Sequence, residues 1–194
     1  MPPSAVKTIS DLIQWQYAKI ISGSAINDKK NYGFVMERFK KLQKGEIFWN
    51  EIREYVKEQE KKGECIFCGR KEKMTQDHLF PRDFNGPNDE KNIAWMCRSC
   101  NSSKGKRRLY EFWTMTRGLK SAKYDIPRIA EGKYLKLLYE AMKNAGMLDL
   151  DIEKIRSDVC PGCDLKDLCK KEDSEGKLSP LCLDGVATLC FRQK

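Results

Sequence analysis

The stretch CIFCGRKEKMTQDHLFPRDFNGPNDEKNIAWMCRSCN, residues 65–101, carries four of the nine cysteines and the single histidine, His78. Cys65 with Cys68 and Cys97 with Cys100 form two C-x2-C knuckles. Each knuckle can aim two thiolates at one ion, so the two together predict a closed tetrahedral zinc shell, structural rather than catalytic. A redox role fits less well, because there are two pairs and no thioredoxin-like βαβ pattern around them. Residues 69–96 separate the knuckles, more chain than a compact ribbon needs, and His78 lies within that insert.

Outward from the knuckles the pattern changes. From Glu64 to about Asn101, short apolar pieces broken by Gly, Pro, Asn and Asp predict loops and small strands. Before it, three amphipathic helices are expected: Ile9, Leu12, Ile13, Tyr17 and Ile20 up to Gly23; Val35, Phe39 and Leu42 up to Gly45; and Phe48, Ile52, Tyr55 and Val56 up to Gly63. The tail of the third, KEQEKK, reads as a solvated face. After it, Leu109, Phe112 and Trp113 predict a helix ending near Gly118, and Pro127 opens another through Tyr134, Leu135, Leu138 and Met142 to Gly146. Trp15, Trp49, Trp95 and Trp113 are expected in the core rather than as base-stacking platforms. From Cys160 the chain reads as loop-rich. No internal repeat is present.

A chain of 194 residues and 22.5 kDa holds one ordinary domain, or a small one with helical or metal-stapled extensions. With 40% hydrophobic and 34% charged residues it reads as folded, and no apolar run is long enough to span a bilayer. The opening MPPSAVKTIS lacks the apolar segment of a signal peptide, which predicts a cytoplasmic protein. In that compartment nine cysteines are read as metal ligands or redox groups rather than disulfides. A net charge of +9 and a pI near 9.0 point to polyanionic partners.

Within the insert the chain resembles the HNH endonuclease family, in the form whose ββα-metal motif is clamped by a four-cysteine zinc. Asp77-His78 followed by Pro81 matches the family's D-H-x-x-P element; Asn92, ahead of Cys97, matches the central Asn; Asn101 takes the last position, filled by His or Asn; Lys104 fits the basic residue just beyond. The resemblance covers residues 64–108 and rests on combined spacing. It implies hydrolysis of DNA phosphodiester bonds, with His78 as general base, Asp77 and Asn101 on a catalytic Mg²⁺ or Mn²⁺, and Asn92 holding the loop that positions His78.

Elementary chemistry agrees. A neutral imidazole can take a proton from water near neutral pH, and carboxylate and amide oxygens suit hard cations. Strand alternation, however, sends Asp77 and His78 to opposite faces unless the backbone bends between them. Arg98, Lys104, Lys106, Arg107 and Arg108 form a basic run with no acidic residue, expected on a helix that meets phosphates.

The tail supplies CPGCDLKDLC, with Cys160, Cys163 and Cys169 at x2 and x5 spacing, and Cys182 or Cys190 as a fourth ligand. A second metal site is expected there, zinc first and an iron–sulfur cluster as the rival. The expected fold is therefore mainly α with a small α+β core. It comprises an N-terminal helical region (1–63), a zinc-stapled nuclease core (64–118), a helical region (119–159) and a metal-binding tail (160–194). The competing function is a non-catalytic zinc-dependent nucleic-acid-binding protein. RNA stays open as a substrate beside DNA, and one motif per chain would nick one strand where a homodimer would cut both.

Overall fold

Thr8 opens the first helix with a reciprocal capping box. Its Oγ1 accepts from Asp11 N at 3.2 Å, and Asp11 Oδ2 accepts from Thr8 N at 3.1 Å. The computed structural model describes residues 2–48, 63–116, 126–171 and 177–192. Helix α1 (Ile9–Ala25) buries Ile9, Leu12, Ile13, Tyr17 and Ile20 as the spacing predicts, but runs past Gly23. A helical glycine costs about 1 kcal/mol, less than the packing that carries α1 through the middle of the helical layer. Helix α2 (Tyr32–Gln43) packs Val35, Phe39 and Leu42 against it. Most of the third expected helix, from Phe48 up to Gly63, falls on residues 49–62 and so lies outside the described residues, as do Trp49 and Gly118.

Strands β1 (Met74–His78) and β2 (Ile93–Cys97) form a two-stranded antiparallel sheet, and α3 (Arg98–Lys104) follows β2 directly. Helix α4 (Leu109–Thr116) leads on, and α5 (Arg128–Asn144) starts just after Pro127, burying Tyr134, Leu135, Leu138 and Met142. A single turn, α6 (Ile152–Lys154), then continues as a π turn (Ile155–Val159) and a 3₁₀ turn (Cys160–Gly162), followed by α7 (Lys166–Lys171) and α8 (Pro180–Arg192). Helices α1, α5 and α8 pack together, and α4 packs on α8. The chain is thus mainly helical with one small sheet. No described helix is long and apolar enough to cross a membrane.

The tail corrects the reading of a loop-rich segment with little to pack. Leu178, Leu181, Leu183, Val186, Ala187, Cys190 and Phe191 are all buried, and α8 is a core helix. Its one acid, Asp184, is fully buried, accepting from Tyr134 Oη at 2.7 Å and from Glu111 N at 2.8 Å. Burial pushes the Asp184 carboxyl up from 3.8 to about 7, against those two hydrogen bonds and the nearby Arg108 charge. The folded state therefore holds an extra proton between those values: its stabilising effect is complete below 3.8 and is lost as pH rises through about 7. Urea midpoints should fall across that window more steeply in the wild type than in Asp184→Asn. Equal slopes would remove the assignment.

Candidate active site

The four cysteines of the two knuckles converge, with all their Sγ atoms within 4.8 Å of one another. Cys68 Sγ and Cys97 Sγ are 3.7 Å apart. Four thiolates about 2.3 Å from a tetrahedral zinc stand roughly 3.8 Å apart, so the set fits that ion. The first knuckle closes through Gly69 N to Cys65 O at 2.8 Å and Cys65 N to Arg70 O at 3.0 Å, with Gly69 at φ +70°, a conformation that glycine adopts without strain. Ile66 N reaches Trp95 O at 2.9 Å, tying this knuckle to β2. Cys97 ends β2 and caps α3, its sulfur accepting from Cys100 N at 3.5 Å. Burial pushes the Cys97 and Cys100 thiols up, whereas at Cys65 backbone N–H groups from Cys97, Cys68 and Phe67 outweigh burial and bring the thiol to about 7.

The register pairs Asp77 with Ala94 and His78 with Ile93. Thr75 and Asp77 therefore share a face, and α3 covers it with two rungs. Asn101 Nδ2 donates to Thr75 Oγ1 at 3.0 Å, and Lys104 Nζ to Asp77 Oδ2 at 3.1 Å. Thr75 spends its own proton on Met96 O at 3.2 Å, so Asn101 meets it with an N–H and keeps its amide oxygen for other partners.

His78 ends the strand, half-buried, with Nε2 2.9 Å from Asn88 Oδ1. An amide oxygen can only accept, so Nε2 carries the proton and Nδ1 keeps the lone pair. Between these residues the loop is clamped by Asn92, which is fully buried. Its Oδ1 accepts from Phe80 N, and its Nδ2 donates to Phe80 O and Pro87 O, all at 2.8 Å. Gly86 has no room for a side chain, because a Cβ there would collide with Phe80 O and lie 2.8 Å from Pro81 O. Phe80 itself packs against Phe191 and Tyr134, fixing the loop to α8 and α5. Asn92→Ala strands two buried backbone groups and a part-buried one and should cost on the order of 3 kcal/mol, read as a lower denaturant midpoint. A change under about 0.5 kcal/mol would contradict the clamp.

A two-stranded sheet, a capping helix and a four-cysteine shell surround the D-H and N elements. Residues 65–107 match the HNH endonuclease family. The match covers under a quarter of the chain, supports a nuclease-type function in general and implies a nucleic-acid substrate. No curated protein and no solved structure matches the chain.

At the end of the HNH segment and just beyond it, two expected phosphate-binding side chains turn inward. Lys104 and Arg108 are fully buried. Lys104 turns inward because it sits one turn after Asn101, on the α3 face that covers β1. Arg108 spans Asp164, at 3.0 and 2.7 Å, with Glu111 at 3.0 Å and Thr188 at 2.8 Å, and stacks 4.4 Å from the centre of the Phe84 ring. Arg98 and Lys106 are exposed and Arg107 is half-buried, so the solvent-facing basic set is smaller than the sequence suggests. Lys106 also contacts Asp83 at 2.7 Å. Trp95 is 42% exposed on the outer sheet face beside Gln76, a correction to its expected place in the core.

Asn88 is the residue that the sequence reading missed. It sits in an exposed turn with no periodicity to mark it, and its distance from His78 in sequence hides the contact. The terminal cysteines do not form a compact four-sulfur shell like the central one. Cys190 in particular lies against Met147 Sδ at 3.4 Å.

Proposed function

We propose that the protein is a divalent-metal-dependent endonuclease that hydrolyses DNA phosphodiester bonds, with His78 as general base. The observation that carries the reading is the His78–Asn88 hydrogen bond, which leaves Nδ1 as a base at the end of the strand that carries Asp77. Asn101 keeps its oxygen uncommitted and Asp77 Oδ1 has no hydrogen-bond partner among the described residues, so the donor set fits a hard cation. A bound Mg²⁺ or Mn²⁺ would be held by Asp77 and Asn101 and would supply positive charge to the phosphate oxygens.

The chain's own groups do the rest. His78 Nδ1 takes the proton from the attacking water, and Asn88 holds the ring and fixes its tautomer. Lys104 holds one oxygen of Asp77 and leaves the other to the cation. Arg98, Lys106 and Arg107 attract the phosphate backbone, so binding weakens with salt. Asn88→Ala should lower kcat by about tenfold with little change in KM, as loss of a tautomer-fixing partner does. An unchanged kcat would remove Asn88 from the site.

One observation favours a second reading, a non-catalytic zinc-dependent nucleic-acid-binding protein: Asp77 already has a cation partner in the buried Lys104. Supercoiled plasmid and single-stranded RNA, each incubated with Mg²⁺, Mn²⁺ or EDTA, separate the two. Nicked plasmid in Mg²⁺ or Mn²⁺ and none in EDTA is the expected result, with linear product if a homodimer cuts both strands. A mobility shift in EDTA without cleavage in any divalent ion would favour the binding reading.

A further inference from the structure

We propose that Cys160, Cys163, Cys169 and Cys182 bind a second metal centre through four thiolates, at the junction of the 3₁₀ turn, α7 and the first turn of α8. The site is separate from the HNH segment and does not depend on the nuclease reading. Its observations are contacts between the two chain segments. Ser179 Oγ lies 4.0 Å from Cys169 Sγ and 3.8 Å from Cys182 Sγ, and Cys163 N donates to Cys160 O at 3.3 Å, which closes the C-x2-C turn. Cys163 reaches α8 as well: a Cβ on Gly185 would be 3.1 Å from its Sγ. Gly185 lies one turn after Cys182 on α8.

A backbone N–H group points at one of these sulfurs, as in the central shell. Ser179 N donates to Cys182 Sγ at 3.4 Å. The fourth ligand is Cys182, not Cys190. Eight residues of α8 carry Cys190 about 12 Å along the helix, where it is buried against Met147.

The shared chemistry is all-thiolate ligation of a thiophilic metal. Thiolate-only ligation suits either a zinc ion or an iron–sulfur cluster. The consequence is mechanical: Asp164, between Cys163 and Leu165, grips Arg108 through both carboxylate oxygens. A metal here locks the end of the HNH segment to α8.

The test is elemental analysis of the full chain, expressed with zinc and iron supplied, for wild type and for Cys163→Ser, Cys169→Ser and Cys190→Ser. The expected result is metal in excess of one equivalent in the wild type, with that excess lost in the first two variants and kept in Cys190→Ser. Iron with labile sulfide and visible absorbance would assign a cluster; a second zinc would assign a single ion. Where a serine variant fails to fold, wild-type stoichiometry decides. A single equivalent of metal in the wild type, a Cys169–Cys182 disulfide without a second metal, or undiminished metal in both serine variants overturns the proposal.

Discussion

His78→Ala is expected to lower plasmid cleavage by about 10²–10⁴-fold, the usual contribution of a positioned general base. The loss should appear in kcat, because the imidazole contributes to the transition state rather than to holding DNA. Fold and metal content should be unchanged. His78 is half-buried, lies outside the four-cysteine shell, and its ring is hydrogen-bonded to Asn88 in an exposed turn. That separation makes the experiment clean: circular dichroism and zinc content report the scaffold, and cleavage reports the base. Full activity in the variant would mean that water is activated by another group.

Removal of the central zinc should have the largest effect on the fold. The sheet has only two five-residue strands, and a two-stranded hairpin is marginal by itself in water. Cys97 is at once the end of β2, the cap of α3 and a buried member of the four-cysteine set that fits zinc, so Cys97→Ser removes three functions together. Structural zinc in small peptides binds with apparent free energies of about 10–16 kcal/mol. The helical layer offsets part of such a loss. A residual loss of several kcal/mol would lower Tm by on the order of 10 °C or more in a chain of this size. A strong chelator should act in the same way as Cys97→Ser. A Tm unaffected by both would mean that the helices hold the HNH segment without metal.

The HNH segment was largely legible because its ligands come in pairs of fixed spacing, and metal geometry makes such spacing informative. The helices were legible wherever one apolar face carries the periodicity, as in α2 and α5. The direction of the basic residues was not. Lys104 and Arg108 look like their exposed neighbours in a charge run, and only the phase of α3 against β1 and the acids of distant segments show that they turn inward. In retrospect, the three-residue step from Asn101 to Lys104 already places both on the face that covers Asp77.

The tail was misread for a related reason. Its cysteines drew attention from PLCLDGVATLCF, whose apolar residues have helical spacing around a single acid. Asp184 in that setting was the visible sign of a buried hydrogen-bonded carboxyl. Asn88 left no comparable signal, because turn residues have no period and its partnership with His78 is made by the fold alone.

The most direct measurement is conversion of supercoiled plasmid by purified wild type and His78→Ala, each with Mg²⁺, Mn²⁺ and EDTA. Nicking or cutting by the wild type in Mg²⁺ or Mn²⁺, absent in EDTA and abolished or nearly so in the variant, is the predicted result. Equal cleavage by both proteins would contradict His78 as the base, and no cleavage by folded, zinc-loaded wild type in either metal would contradict the nuclease itself.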